Sequence, residues 1–176
     1  MISANGNLQD LISWTDAGFA GTDTHSQSGL IITWGGSIIS WRSSKQSVSA
    51  LSTAEAGLYA ASLGWQVVEG TRHLVTDLGI QVPHVQLFID NKAAITIAGC
   101  GANWRTRYFA VRAHRLHEEI IRGAATLDHC PTNDMVADAL TKLGTGPMFH
   151  TLHEAMAGRF PDTPTAIKNR QESGGP

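Results

Sequence analysis

Cysteine is scarce in this chain, with Cys100 and Cys130 the only two among 176 residues, and neither lies in a CxxC pair or a histidine-rich run. That spacing speaks against both a disulfide framework and a zinc site, and isolated thiols fit a reducing compartment. Charge is scarce too. Charged residues make up 16% of the chain and the formal net charge is −2, whereas domains that hold nucleic acid by charge alone have a pI above about 9. If this protein binds a polyanion, metal ions or a local basic patch must do the neutralising. No apolar run approaches the roughly 20 residues of a membrane span, so no membrane association is expected. The opening MISANGNLQD has neither a basic n-region nor an apolar h-region. The expectation is a chain without a signal peptide, located inside the cell. There are no internal repeats.

What is present is a globular balance, with 42% apolar residues, and enough length to bury a core without staples. The first fifty residues read as three strands, over residues 11–19, 29–34 and 37–42. The last two flank Gly35-Gly36, a two-residue hairpin signal. In the third strand Ile39 and Trp41 alternate with Ser40 and Arg42, which predicts one apolar face. From about residue 53 to 78 the period changes. Leu58, Ala61, Trp65, Val68, Arg72 and Val75 follow helical spacing, with Ser52 or Thr53 available as N-cap and Gly79 as terminator. Residues 85–90 (VQLFID) read as a buried strand and 91–98 as a short helix. Residues 107–122 read as an amphipathic helix whose stripe is Phe109, Ala113, Leu116 and Ile120. Residues 124–129 read as a fifth strand, and 133–142 as a last helix after Pro131.

The order β-β-β-α-β-α-α-β-α predicts an α/β fold, a five-stranded mixed sheet flanked by helices. The pattern weakens after Gly144. One domain is expected over residues 1–146, followed by a C-terminal extension over 147–176 with a short helix near 149–157 and a disordered tail.

Asp16 and Asp90 fall at strand ends and Asp138 on the last helix. In mixed α/β sheets, sites form beyond strand ends near a change in connection order. Carboxylates are the ligands hard divalent cations prefer, and two such ions about 3.5–4 Å apart support phosphodiester hydrolysis without a side-chain nucleophile. An aspartate at a strand end is more often a turn or capping residue, so position alone leaves both readings open.

Four words add to this: TDAGFAG (residues 15–21), GGSIISWRSSKQSVSALSTAEA (35–56), FIDNKAAI (88–95) and CPTNDMVADALTK (130–142). In order and spacing they resemble the ribonuclease H domain of copia-type retrotransposon polyproteins, a resemblance covering roughly residues 11–143. It implies a ribonuclease H-like fold, with Asp16, Asp90 and Asp138 at metal-ligand positions for two Mg²⁺ or Mn²⁺ ions. The implied activity is endonucleolytic cutting of the RNA strand of RNA–DNA hybrids. The implied setting is a reverse-transcriptase polyprotein, in the cytoplasm, the nucleus or a virus-like particle, with the polymerase domain as a partner.

The pattern also departs from the family. Its first-helix word carries two glutamates two residues apart, but here STAEAGLYA (residues 52–60) has Glu55 and then Gly57. Aligned by the apolar-Tyr-Ala word, the ligand glutamate falls on Gly57; aligned as the nearest acid, it is Glu55. Residues i and i+2 of a helix face opposite ways, so one does not replace the other. Glu55 as a catalytic metal ligand and Glu55 as a first-turn acid favoured by the helix dipole both stay open. The family's second aspartate in the first-strand word is Gly18, and its basic-His-Ile-Asp word reads RYFAV (107–111). These departures imply an alternative, a catalytically decayed module that only binds nucleic acid or partners.

Candidate hybrid contacts are Arg42, Lys45, Ser52, Asn91, Arg112 and Arg115, with Arg105, Arg107, His114 and His117 extending a phosphate-tracking groove. A solvated helix face accounts for the same cations, and Glu118 and Glu119 dilute them. His129 reads as a strand-end residue. The five tryptophans read as mostly core, with Trp104 in a loop among arginines.

Overall fold

The computed structural model describes residues 9–20, 25–100, 110–142 and 146–160. Five strands form one sheet: β1 (Leu11–Gly18), β2 (Gln27–Trp34), β3 (Ser37–Lys45), β4 (Val85–Ile89) and β5 (Ala125–His129). Their order is β3-β2-β1-β4-β5. The β1–β2 and β2–β3 pairs are antiparallel, and β4 lies parallel to both β1 and β5. The hairpin turns on Gly35 and Gly36, whose φ values of 56° and 75° suit a type I′ connection that side-chain-bearing residues resist.

Helix α1 (Thr53–Asp77) crosses one face of the sheet. Ser52 caps it, its hydroxyl accepting from the Glu55 N–H at 3.1 Å, and the chain leaves through Gly79 at φ 84°. The stripe Leu58, Ala61, Trp65 and Val68 is buried in the main core with Leu30, Ile32, Val85 and Leu87. Gly64 lets the helix come close to β1, because a Cβ there would fall 2.3 Å from Thr15 Cγ2. Helices α2 (Lys92–Cys100) and α3 (Ala110–Ile121) complete this layer. In α3, Ala113 and Leu116 are buried as the spacing predicts. So is Glu119, which receives ion pairs from Arg115 at 3.1 Å and Arg122 at 2.9 Å. Phe109 lies outside the described residues.

The opposite face carries a smaller core in which Trp14 stacks on Phe88, ring centroids 4.5 Å apart. It is covered by a segment that the sequence reads as a helix over 133–142 and that instead forms two 3₁₀ turns, Thr132–Asp134 and Val136–Leu140, joined at an extended Met135. The segment lies flat on two glycines. A Cβ on Gly18 would sit 2.6 Å from the Thr141 carbonyl oxygen, and one on Gly29 would sit 2.8 Å from that of Ala137. Tight i→i+3 bonds, such as Asp138 N–H to Met135 O at 3.1 Å, keep this backbone low against the sheet. Helix α4 (Gly146–Met156) follows, its Ala155 buried in the same cluster, and Phe160 stacks on Trp14 at 5.8 Å. The tail expected beyond residue 160 lies outside the described residues.

The apolar face expected on β3 is not buried: Trp41 is 69% exposed and Ile39 41%. The reason is topological, since β3 is the edge strand and α1 packs over the inner strands. Among the described residues no helix is long and apolar enough to cross a membrane.

Candidate metal centre and nucleic-acid interface

The strand register brings two distant aspartates together. Thr15 on β1 is paired with Ile89 on parallel β4, so the next residues, Asp16 and Asp90, leave the same rim of neighbouring strands about 4.8 Å apart. The 3₁₀ segment delivers the third acid, because the close approach at Gly18 and Gly29 lowers Asp138 onto the strand that carries Asp16. The Asp16 carboxyl interacts directly with those of both Asp90 and Asp138. Asp16 and Asp138 are buried and Asp90 half-buried.

Electrostatics follow from that crowding. Burial raises the pKa of all three carboxyls above the ordinary value of 3.8, and repulsion adds to it, from Asp90 on Asp16, from Asp138 on Asp90 and from Asp16 on Asp138. Two neighbours oppose the rise. The Thr141 hydroxyl donates to Asp16, and the Lys142 ammonium pairs with Asp138. Burial alone pulls Lys142 downward. The Asp138 hydrogen bond and the charges of Asp16, Asp138 and Asp90 outweigh it, and the net shift is upward. Thr141 and Lys142 end the CPTNDMVADALTK word, but helical spacing does not single them out; the 3₁₀ backbone turns them back toward the acids.

Among the described residues no group of three or more His, Cys, Asp or Glu side chains is arranged to hold a metal ion as it stands. Lys142 and Thr141 hold two of the carboxylates. The donor set itself suits a hard divalent cation: three carboxylates on rigid elements, crowded and incompletely neutralised.

Glu55 does not join this group. Its carboxylate turns back to the helix start and accepts from the Leu51 N–H at 2.8 Å, which with the Ser52 cap forms a reciprocal N-terminal arrangement of the capping-box kind. Gly57 faces inward instead. A Cβ built on it would lie 3.1 Å from Asn91 Cβ, next to Asp90. Asn91 caps α2, its Oδ1 accepting from the Ala94 N–H at 3.0 Å. Gln46, missed by sequence reading although it stands in the SWRSSKQ word, is buried and ties β2 to the first turn of α1. Its Nε2 donates to Ser28 Oγ at 2.9 Å and to the Ala56 carbonyl at 3.0 Å.

The expected cations are distributed rather than gathered. Arg42 and Lys45 are exposed on edge strand β3, and Arg112 and Arg115 project from α3. None of the four is a leading influence on the three aspartates. The Arg112 guanidinium lies 4.5 Å over the Tyr59 ring. Arg115 pairs with Glu119, His114 with Glu118 at 3.4 Å, and the His117 ring with the Ala98 carbonyl at 3.1 Å. Arg105, Arg107 and Trp104 lie outside the described residues. His129 ends β5 opposite Ile89, at the rim where Asp90 emerges. Burial, with the charges of Asp134 and Asp90, pushes the Cys130 thiol up to about 12, which makes it inert at neutral pH.

No family model matches the chain. It is 33% identical over 141 residues to the retrovirus-related Pol polyprotein from transposon RE2 of Arabidopsis thaliana, a match covering 78% of this chain and 10% of that protein. The chain thus spans about a tenth of the length of the curated relatives it matches. Among solved structures it is similar to LC11-RNase H1 isolated from compost, with TM-score 0.57 and 17% identity over 75% of this chain and 92% of that one. It is also similar to LC11-RNase H1 in complex with an RNA/DNA hybrid, with TM-score 0.52 and 15% identity over 74% and 93%. Sequence relatives and fold agree: the chain is related to a segment of copia-type retrotransposon Pol polyproteins, and its fold is ribonuclease H-like.

Proposed function

We propose that Asp16, Asp90 and Asp138 form a divalent-metal site with which this domain hydrolyses the RNA strand of RNA–DNA hybrids, as part of a retrotransposon reverse-transcription machinery. The observation that carries this reading is the β1–β4 register, which makes Asp16 and Asp90 neighbours under Asp138. The Pol relatives and the ribonuclease H-like fold support it. So does the neighbour that holds an RNA/DNA hybrid.

The three carboxylates would hold Mg²⁺ or Mn²⁺, two ions in the full arrangement. When bound, such ions supply an activated water and neutralise the leaving oxygen. The chain's own part is to orient and to exclude. Thr141 fixes the Asp16 carboxylate through its hydroxyl, and Gln46 holds the first turn of α1 to the sheet. Asn91 stands beside Asp90 at the start of α2, where its amide is within reach of a substrate strand. Arg112 on its Tyr59 platform supplies a backbone contact, and Arg42, Lys45 and Arg115 give weaker phosphate attraction of the kind that falls with salt. Ser52, its hydroxyl engaged in capping, contributes through α1 rather than through the hybrid.

Gly57 favours a second reading. It faces Asn91 where a fourth carboxylate would reach the site, so the domain works with three acids or has lost hydrolysis and retains binding. A labelled hybrid separates the two. With Mn²⁺ or Mg²⁺ the active reading predicts internal cuts in the RNA strand alone, stopped by Asp90→Asn. No cutting at any divalent concentration, with salt-sensitive hybrid binding retained, establishes the second reading.

A further inference from the structure

Among the described residues, Lys142 is the one cation that acts on all three aspartates. It directly follows Thr141, the residue that caps the Val136–Leu140 turn, four positions after Asp138, and its ammonium pairs with the Asp138 Oδ1. Its side chain is 43% exposed while that of Asp138 is 9%. The acid is therefore fixed in the fold and the base has solvent to move into. Three carboxylates and one ammonium leave a surplus of two negative charges, and the ammonium occupies an oxygen of Asp138.

We propose that Lys142 is a resident counter-ion of the three-aspartate site, which a divalent cation must displace from Asp138 in order to bind. This rests on the metal-site reading above and adds a residue that sets the site's affinity. The ammonium lessens repulsion among the acids. Being tethered, the ammonium competes at a high effective concentration. Its release to solvent on the exposed side leaves Asp138 free as a ligand.

The test is a Mn²⁺ titration of the purified chain without nucleic acid, following free aquo-Mn²⁺ by electron paramagnetic resonance. Removing one positive charge a few ångströms from a doubly charged ion is expected to tighten binding about tenfold or more. Lys142→Gln should show that gain, and Lys142→Met, which keeps the apolar stem, should show it even if the glutamine variant folds poorly. Lys142→Arg should stay within about twofold of the parent, because the charge persists. Adding Asp90→Asn to Lys142→Met should abolish the gain; a gain that survives places the ion elsewhere and overturns the proposal. Unchanged or weaker binding by both neutral variants overturns it too, while leaving the three-aspartate site standing. No Mn²⁺ binding by the parent or by any variant overturns both.

Discussion

Three aspartates crowded at one strand rim make opposite demands on stability and on metal binding, and single substitutions separate them. With pKa values raised above the ordinary 3.8, these carboxyls bind protons more readily folded than unfolded. Their contribution to stability is therefore full below the unfolded value and is lost as pH rises through the folded values. Asp90→Asn removes one charge from the cluster. In metal-free buffer at neutral pH it should melt higher than the parent, by about 2–4 °C for each kcal/mol of repulsion relieved. The gap should close as pH falls toward the ordinary carboxylate range, a comparison that cancels groups such as Glu69, whose pKa is lowered chiefly by its Arg72 hydrogen bond. A variant that melts lower at neutral pH would show that the acids do not repel. Glu55 and Gly57 are the second residue-scale test. Glu55→Ala should cost about 0.5–1 kcal/mol in urea unfolding, through loss of the helix-start bonds, and leave hybrid cleavage unchanged. Gly57→Glu should raise cleavage about tenfold or more if the site is one ligand short, provided Asn91 yields a few tenths of an ångström. The choice between Glu55 and Gly57 was not legible from the word STAEAGLYA, because both alignments satisfy it; it needed the direction in which each position faces.

At the scale of elements, the glycines under the 3₁₀ segment connect packing to the site. By the family resemblance Gly18 stands in place of a second aspartate, and sequence alone reads that as loss. Its backbone contact with Thr141 gives it a packing role. Gly18→Asp should destabilise by about 1–3 kcal/mol through overpacking and lift Asp138 away from Asp16; denaturant unfolding and Mn²⁺ affinity should fall together. Stability unchanged within error would mean that the segment does not need the close approach. Local signals settled other elements. Gly35-Gly36, Ser52 and Gly79 each mark a boundary by a backbone requirement that few residues meet, and the hairpin and α1 begin and end where those residues stand. The 133–142 stretch reads as a helix after Pro131, and the tighter turn comes from a tertiary contact on Gly18 and Gly29 that local sequence does not encode. The exposure of Trp41 was illegible for a similar reason, since alternation says that a strand has an apolar face and not whether a helix lies over it.

Over the whole molecule, topology turns a dispersed sequence into one rim. The helical crossover from β3 through α1 brings β4 back beside β1, and without that pairing Asp16 and Asp90, 74 positions apart in sequence, have no reason to meet. The order of strands and helices made the mixed sheet legible, and the four family words gave its kind. The cations were the least legible feature. Sequence leaves the charges on α3 open between a phosphate-tracking groove and a solvated face, and in the fold Glu118 and Glu119 claim His114 and Arg115. The claim on which all of this turns is that the three aspartates hold a divalent cation. Anomalous diffraction from a crystal soaked in Mn²⁺ measures that directly. The account predicts a peak bounded by the carboxylates of Asp16, Asp90 and Asp138, with the Lys142 ammonium withdrawn from Asp138. A well-ordered soaked crystal with no peak among those three side chains would contradict it.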